Sequence, residues 1–181
     1  MNKTSIISIG KLPDIIRSRR LCLRAPQIAD AGALQKLANN KKIHRMLARL
    51  PYPYEMRDAL DFLGKAERDR EERVYAITSE DGDFAGIISL RSGPDPAPEL
   101  GYWLGEPYWG RGYASEAVRI VLEAAGRVGI GEIVARSITE NIASLKVLKR
   151  AGFVEISRGI DDCGQHEGIC VTKMQWKGRA G

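Results

Sequence analysis

Two glycines flank an arginine at Gly110, Arg111 and Gly112, in a loop that joins a strand-like apolar run to a helix-like one. Glycine lets a backbone turn tightly and approach a bound molecule closely. The helix that follows presents N–H groups without intrahelical partners and the positive end of its dipole, and both attract anions. Arg111 adds a fixed positive charge. The pattern predicts a cradle for a pyrophosphate group, although a plain strand-to-helix connection is the simpler interpretation of this loop taken alone.

A dinucleotide-binding loop is the main competing interpretation of these glycines. That loop needs a third glycine, and the chain has Ser115 near the corresponding position. It also needs the glycines directly after the strand, whereas residues 105–109 intervene here after Leu104. Dinucleotide binding is therefore disfavoured.

A second polar motif, with Asn141 and Ser144, follows the strand-like run 132–138. These residues open a helix-like run that stops at Gly152 and Phe153. The Asn141 amide can both donate to and accept from an amide-bearing ligand that lies beside the strand. Taken alone, Asn141 is equally a helix cap. Taken together with the glycine loop, the pair of motifs is specific.

The spacing of apolar residues predicts the elements that must position these motifs. The predicted strands span 20–24, 74–78, 84–90, 99–104, 132–138, 153–157 and 169–176, and the predicted helices span 30–39, 55–72, 114–128 and 141–151. Strands and helices do not alternate throughout, so a doubly wound parallel sheet is disfavoured. We expect a mixed α/β fold of the α+β kind, with one mixed sheet and helices on both faces.

Some local details follow from the same patterns. Gly101 interrupts the strand 99–104, where we expect a bulge, and Gly82 is expected in a hairpin turn. Helical spacing recurs at Ile43, Met46, Leu47 and Leu50, and the apolar side of helix 55–72 is expected to consist of Met56, Leu60, Leu63 and Ala66.

Length and composition suit one domain. The chain has 181 residues, of which 44% are hydrophobic and 28% charged. We expect a single domain over 1–181, with a lead-in segment or edge strand over 1–16 and a core over 20–176. No apolar run approaches the ~18 residues that span a bilayer, and no secretory signal is recognised. A cytoplasmic location without a membrane partner is therefore expected.

Charge and cysteine content disfavour two further classes of protein. The net charge of +5 suits an anionic ligand, but the basic residues are scattered without interleaved aromatics, so nucleic acid is not an expected partner. Cys163 and Cys170 flank His166. Two thiols and one imidazole are too few for a closed zinc site, so no metal is expected.

The stretch from Glu99 to Phe153 resembles the GNAT superfamily of N-acetyltransferases, and within it the RimJ/RimL-like branch of ribosomal-protein N-terminal acetyltransferases. In element order the resemblance extends from Arg20 to Trp176. The residues that carry it are Leu100-Gly101-Tyr102-Trp103-Leu104, Tyr108-Trp109-Gly110-Arg111-Gly112-Tyr113-Ala114-Ser115-Glu116-Ala117, Asn141-Ile142-Ala143-Ser144 and Gly152-Phe153.

This resemblance implies acetyl-coenzyme A as co-substrate and a sheet of about seven strands, in which two parallel neighbours ending at Leu104 and near Ile138 splay apart. The pantetheine arm is expected along 102–104, and the pyrophosphate on the main-chain amides of the glycine loop. Pro107 departs from the family's glutamine or arginine, a change that a main-chain cradle tolerates. The implied cofactor-binding residues are Tyr102, Trp103, Leu104, Trp109, Gly110, Arg111, Gly112, Tyr113, Ala114, Ser115, Asn141, Ser144 and Lys146.

The resemblance also implies direct attack of the amine on the thioester in a ternary complex. Glu99 is the expected catalytic base, directly or through a water, with a solvated loop carboxylate as the alternative interpretation. Ser144 or a water is expected to protonate the leaving thiolate, because Leu148 stands where many relatives carry a tyrosine. Tyr52 and Tyr54 are expected to shape the substrate pocket, or else to pack the turn between two helices.

The expected acceptor is a primary amine, most of all the N-terminal α-amine of a protein or peptide. An α-amine with a pKa near ~8 is about ten per cent neutral at pH 7, whereas a lysine amine near ~10.4 is neutral to about four parts in ten thousand. A small-molecule amine, such as a polyamine, an amino sugar or an antibiotic, is the first alternative. A non-catalytic acyl-coenzyme A sensor is the second. Homodimers are common among relatives in this superfamily.

Overall fold

The computed structural model of the chain describes residues 9–93, 95–160 and 168–178, and within them it contains one mixed sheet. The strands lie in the order β1-β2-β3-β4-β5-β6-β8-β7, and only β5 and β6 run parallel to each other. The sequence predicted about seven strands, and the additional strand is β1 at the edge. The eight strands are β1 (Ile15–Arg17), β2 (Leu21–Arg24), β3 (Glu72–Ser79), β4 (Phe84–Arg91), β5 (Glu99–Leu104), β6 (Glu132–Ile138), β7 (Val154–Ile160) and β8 (Cys170–Lys177).

Helices cover both faces of the sheet, as predicted. Helices α1 and α3 pack on one face, and α4 and α5 pack on the other. No helix within the described ranges is both long and apolar enough to cross a membrane. The helices are α1 (Ala31–Ala38), α2 (Lys41–His44), α3 (Met56–Arg68), α4 (Tyr113–Arg127) and α5 (Ile142–Arg150), with 3-10 turns at Ile28–Asp30 and Glu106–Tyr108.

The larger core lies between the sheet and the helices α4 and α5. Leu148 of α5 and Met174 of β8 are fully buried at its centre, and the N-terminal residues Ile9 and Leu12 pack into it. Burying one such side chain contributes roughly 1.5–3 kcal/mol. The buried residues of α4 are Ala117, Val118, Ile120, Val121, Leu122, Ala124 and Ala125.

The smaller core lies under α1 and α3, and here two details of the prediction are wrong. Met56 and Leu60 are 43% and 45% exposed, because the buried stripe of α3 centres on Ala59 and Leu63 instead. The predicted helical pattern over 43–50 is limited to the single turn α2. There the Met46 N–H donates to the carbonyl three residues earlier, in a tight turn that ends the helix.

Gly101 does not introduce the bulge that the sequence predicted. It pairs with Ser89 in an uninterrupted register, and a Cβ added at Gly101 would meet the Ser89 Oγ at an ordinary 3.7 Å. Glycine is required for steric reasons at Gly86 of β4, where an added Cβ would lie 2.2 Å from the Trp103 carbonyl oxygen. Close approach of β4 to β5 therefore depends on Gly86, and the register between the two strands is continuous.

The parallel strands β5 and β6 separate soon after they begin. Register pairs join Glu99 to Val134 and Leu100 to Ala135, and none joins the later described residues of the two strands. Beyond that point β5 remains paired with β4 and β6 remains paired with β8. Each strand keeps its outer partner while the inner edges part, which confirms the predicted splay.

An ion pair at Asp30 connects the end of β2 to the start of α1. The Arg24 guanidinium donates to both Asp30 carboxylate oxygens, at 2.8 and 2.7 Å, and the Gln27 N–H donates to one of them at 2.7 Å. The Asp30 side chain is 7% exposed. Burial raises the pKa of Asp30, but the hydrogen bonds from Arg24 and Gln27 outweigh that effect and hold it below its usual value.

We expect the substitution Asp30→Asn to lower the free energy of unfolding by about 3 kcal/mol at pH 7, because it leaves the guanidinium of Arg24 without its charge partner. The folded-state pKa of Asp30 is lowered, so its contribution is complete above the unfolded value of about 3.9 and is lost as the pH falls through the folded value. In urea denaturation, the difference between wild type and variant should be constant from about pH 5 to pH 8 and shrink below about pH 4.

The matched control for that measurement is Asp61→Asn, at an exposed position of α3. We expect it to change the free energy of unfolding by less than about 0.5 kcal/mol. An Asp30→Asn effect that stayed constant into the acid range would show that the carboxylate charge is not its source.

Candidate active site

Main-chain groups of β5 line the gap between β5 and β6, which we call the wedge. Successive residues of a strand direct their N–H and C=O groups toward opposite neighbours. The Val134 N–H donates to the Pro98 carbonyl at 2.9 Å, so the even-numbered residues of β5 face β6. By that alternation the main chain of Tyr102 and Leu104 faces the wedge, where an amide-bearing ligand can pair with it.

Trp109 closes one end of the wedge. Its indole Nε1 donates to the Leu104 carbonyl at 2.8 Å, and its own N–H donates to the Glu106 carbonyl at 3.1 Å. The Trp109 amide is therefore already used inside a short turn. Of the loop amides that the sequence assigned to a pyrophosphate, those open to a ligand begin at Gly110.

The N-terminus of α4 has the geometry of an anion cradle. Gly110 and Gly112 adopt φ of 72° and 78°, the left-handed region that glycine enters without steric cost. Gly112 occupies the N-cap position, and no side chain caps the helix. The N–H groups from Gly110 to Ser115 donate to no other residue in the described parts of the chain. These amides and the helix dipole can therefore bind a phosphate group.

Arg20 fixes this cradle to the sheet, and sequence reasoning did not identify it. Its guanidinium donates to the Glu116 carboxylate at 2.8 Å and to the Arg111 carbonyl at 2.9 Å, and it lies 5.2 Å from the Tyr113 ring centroid. Burial raises the pKa of Glu116, but hydrogen bonds from Ser18 and Arg20 outweigh it and lower that pKa. Arg20 and Glu116 are 96 positions apart, so no local pattern could have connected them.

A basic cavity of about 550 Å³ adjoins the cradle. Two of the arginines there are neutralised by carboxylates. Arg20 forms an ion pair with Glu116, and the Arg119 guanidinium lies 2.5 Å from the Glu123 carboxylate. The excess positive charge therefore comes from Arg19 and Arg150, and the cavity suits a second anionic group near the first. Its lining residues are Arg19, Arg20, Gly112, Ser115, Glu116, Arg119, Arg150 and Ala151.

Asn141 caps the second helix that reaches the wedge, α5. Its side-chain carbonyl accepts from the Ser144 N–H at 3.1 Å, as expected of an N-cap. The Asn141 NH₂ group donates to no other described residue, so it remains open to a ligand. The cap interpretation and the ligand-binding interpretation are therefore compatible.

A hydroxyl pair connects the two walls of the wedge. The Tyr102 hydroxyl of β5 lies 3.0 Å from the Ser144 Oγ and 3.3 Å from the Ser144 carbonyl oxygen in the first turn of α5. Burial raises the pKa of Tyr102 to about 12, although the hydrogen bond with Ser144 acts in the opposite direction. Leu148 of α5 is 1% exposed in the core and has no hydroxyl. Sequence reasoning assigned only the main chain of Tyr102 and so missed its hydroxyl.

Glu99 lies where the wedge begins, and its carboxylate is paired. The Arg136 guanidinium of β6 donates to its two oxygens at 3.0 and 3.3 Å. About a third of each of these two side chains is exposed, so solvent reaches the pair. Glu99 is therefore a strand residue whose carboxylate is paired with Arg136, and it is not a freely solvated loop residue.

The predicted substrate tyrosines occupy different environments. Tyr54 is 4% exposed within the smaller core, and burial, together with the charge of Asp58, raises its pKa to about 12. Tyr54 therefore packs the turn and does not line an open pocket. Tyr52 is 42% exposed, with its ring centroid 5.5 Å from that of His44. Lys146, predicted to contact the cofactor, is exposed on α5.

A polar contact attaches the segment around Tyr52 to the loop after β5. The Asn40 side chain donates to the Glu106 carboxylate at 2.7 Å, and Lys42 forms an ion pair with the same carboxylate. The Lys41 ammonium lies 5.5 Å from the Tyr52 ring centroid. These contacts position the outer rim of the wedge, and residues far apart in sequence make them.

The described residues contain no group of three or more His, Cys, Asp or Glu side chains that could hold a metal ion. Cys163 and His166, which are too few for a zinc site even with Cys170, lie outside the described residues.

Comparison with known proteins identifies the family of the chain. Residues 20–154 match the family "Acetyltransferase (GNAT) domain". The uncharacterized N-acetyltransferase YnaD of Bacillus subtilis (strain 168) is 26% identical over 140 residues, which cover 76% of this chain and 81% of YnaD. The uncharacterized N-acetyltransferase p20 of Bacillus licheniformis is 24% identical over 175 residues, which cover 92% of this chain and 90% of p20.

Solved structures share the fold. RimL, a ribosomal L7/L12 alpha-N-protein acetyltransferase in complex with coenzyme A, has a TM-score of 0.80 at 23% identity and covers 90% of this chain and 97% of its own. RimJ of Mycobacterium smegmatis, in complex with CoA-disulfide, has a TM-score of 0.80 at 18% identity, with 93% and 88% covered. Spermidine N-acetyltransferase of Vibrio cholerae, in complex with CoA and spermine, has a TM-score of 0.75 at 19% identity, with 88% and 96% covered.

The family match includes β5, the loop of Gly110 and Gly112, α4, β6 and α5, which together form the wedge and its cradle. The chain therefore belongs to the acetyltransferase (GNAT) family and is an acetyl-coenzyme A-dependent N-acetyltransferase.

Proposed function

We propose that the protein transfers the acetyl group to the N-terminal α-amine of a protein or peptide by direct attack, with Glu99 as base and Ser144 beside the leaving thiolate. The observation that carries the proposal is the uncapped N-terminus of α4, whose N–H groups from Gly110 to Ser115 lie at the end of the wedge. A helix end without a cap is stabilised by an anion that completes its hydrogen bonds.

Acetyl-coenzyme A supplies an activated thioester, an amide-bearing arm and a phosphorylated nucleotide. The Tyr102 carbonyl and the Asn141 NH₂ group would bind the arm along the wedge. The amides of Gly110 to Ser115 would hold the pyrophosphate. The basic cavity with Arg19 and Arg150 suits the remaining phosphate, and the positive charge there favours anions.

In this proposal the acceptor amine attacks the thioester carbonyl without an acyl-enzyme intermediate. The Tyr102 N–H, which faces the wedge, donates to the developing oxyanion. Glu99 accepts the proton of the amine directly or through a water. Arg136 holds the Glu99 carboxylate from one side, and each carboxylate oxygen keeps a second lone pair for that proton.

The charges around the wedge favour an acceptor with one amine over a polycation. The carboxylates of Glu99 and Glu106 are each paired with a cation of the protein, Arg136 and Lys42 respectively. A polyamine gains most from carboxylates that lack such partners. An N-terminal amine needs only one base, and its pKa near ~8 leaves about a tenth of it neutral at pH 7. The same proposal includes a cytoplasmic location. It also includes a homodimer, and sedimentation velocity would detect that dimer.

The test of the proposal is calorimetric titration with acetyl-coenzyme A, followed in the same sample by thiol release against a panel of amines. The panel contains peptides with a free N-terminus, the same peptides N-acetylated, and spermidine. We expect binding, and release only with free N-termini. Faster thiol release with spermidine than with the free N-terminal peptides would show that the acceptor is a small-molecule amine. Binding without release on any amine would indicate a sensor, and absence of binding would contradict the whole proposal.

We expect Gly110→Ala to weaken acetyl-coenzyme A binding by at least about tenfold, or ~1.4 kcal/mol. A Cβ at Gly110 meets no protein atom within 4 Å, so the methyl group projects into the open space that the pyrophosphate needs. Calorimetric titration measures the Kd. The matched control is Gly129→Ala at the far end of α4, where φ is +83° and the space is equally open. An equal loss of affinity in both variants would assign the effect to backbone strain.

We expect Glu99→Gln to lower kcat by about a hundredfold or more, since a positioned base contributes ~10²–10⁴. The variant then depends on amine that is already neutral, so its kcat should rise about tenfold per pH unit up to the pKa of the amine near ~8. The control is Glu132→Gln on β6, a strand carboxylate that is also paired, 3.5 Å from Lys177. A Glu99→Gln variant with wild-type kcat and pH profile would exclude Glu99 as the base.

A further inference from the structure

The hydroxyl pair of Tyr102 and Ser144 lies between the two walls of the wedge, so a thioester bound there passes beside it. Tyr102 extends from β5, and Ser144 belongs to the first turn of α5, directly after β6. The Asn141 side chain fixes that turn by accepting from the Ser144 N–H at 3.1 Å. Both hydroxyls therefore belong to elements that form the walls of the wedge.

Two hydrogen-bond patterns fit the same heavy atoms. In the first, the phenol donates to the Ser144 carbonyl at 3.3 Å and accepts from the Ser144 hydroxyl at 3.0 Å. In the second, the phenol donates to the Ser144 Oγ, and the Ser144 proton turns away from Tyr102. An anion in the wedge selects the second pattern, because it accepts the Ser144 proton in a charge-assisted hydrogen bond. Only two protons rotate in this change.

We propose that Tyr102 is a positioning residue, whose hydroxyl donates to the Ser144 Oγ during the reaction and so directs the Ser144 proton to the sulfur of the leaving thiolate. This inference rests on the proposed function, because it requires the thioester to lie beside Ser144. It assigns a role to a tyrosine of β5, because Leu148 of α5 has no hydroxyl that could act on the thiolate.

The hydroxyls donate hydrogen bonds and do not transfer their protons. As the amine nitrogen bonds to the acetyl carbon, the carbon–sulfur bond breaks and its electron pair stays on sulfur. A thiol has a pKa of about 8.5, whereas burial raises that of Tyr102 to about 12, and a serine hydroxyl is weaker still as an acid. The thiolate therefore leaves as a stabilised anion and later takes a proton from water.

The thiol of bound coenzyme A gives a test that needs no acceptor amine. Thiolate absorbance is followed against pH for coenzyme A alone and bound to wild type, Tyr102→Phe, Ser144→Ala and the double variant. In wild type we expect the thiol pKa to fall by about one unit, a tenfold gain in thiolate, as a charge-assisted hydrogen bond provides. Tyr102→Phe and Ser144→Ala should each lose most of that fall, and the double variant should lose no more than Ser144→Ala.

The matched control is Tyr75→Phe, which removes a different buried phenol that donates to the Pro13 carbonyl at 2.6 Å. It should leave the thiol pKa of bound coenzyme A unchanged. Tyr102→Phe keeps the aromatic ring, so the packing that Tyr102 makes against the larger core is retained.

The inference is overturned if Tyr102→Phe or Ser144→Ala gives the wild-type pKa, or if their effects add in the double variant. Additive effects would mean that Tyr102 does not act through Ser144. Failure of wild type to bind coenzyme A would instead overturn the proposed function, and this inference with it. Once an acceptor is known, Tyr102→Phe should lower kcat about tenfold with an unchanged KM for acetyl-coenzyme A, whereas a loss of packing would change both.

Discussion

The parallel strands β5 and β6 share register only at Glu99 with Val134 and at Leu100 with Ala135, and the rest of the molecule is arranged around that early separation. Each strand remains paired on its outer side, β5 with β4 and β6 with β8, so separation does not unravel the sheet. The inner edges are left with main-chain groups that have no strand partner. Strand edges of this kind are normally protected against pairing with other chains, and here they form the candidate site.

The two helices that border the wedge end in opposite ways. Asn141 caps α5 with its own side chain, so the turn that carries Ser144 is complete before any ligand arrives. Gly112 leaves α4 uncapped, and the long-range contacts of Arg20 with Glu116 and the Arg111 carbonyl hold that open end in place. One helix thus supplies a rigid side-chain position, and the other supplies an incomplete set of hydrogen bonds.

The sequence was most informative where structure is local. The predicted bounds of β5 and β6 match the structure. The tight turn at Gly110 and Gly112 and the Asn141 cap were also predicted, because turn and cap chemistry depends on a few adjacent residues. It was least informative about partners distant in the chain. The pairs of Glu99 with Arg136 and of Tyr102 with Ser144 arise only when the sheet brings separate elements together. Burial of Tyr54 likewise depends on how α1 and α3 close over the sheet.

Under the proposed function, the uncapped end of α4 makes the stability of the protein depend on the concentration of its co-substrate. A ligand that binds only the folded state raises the free energy of unfolding by RT ln(1 + [L]/Kd), about 2.7 kcal/mol at a hundred times Kd. With coenzyme A bound at the amides from Gly110 to Ser115, as proposed, the free energy of unfolding rises with the concentration of coenzyme A species.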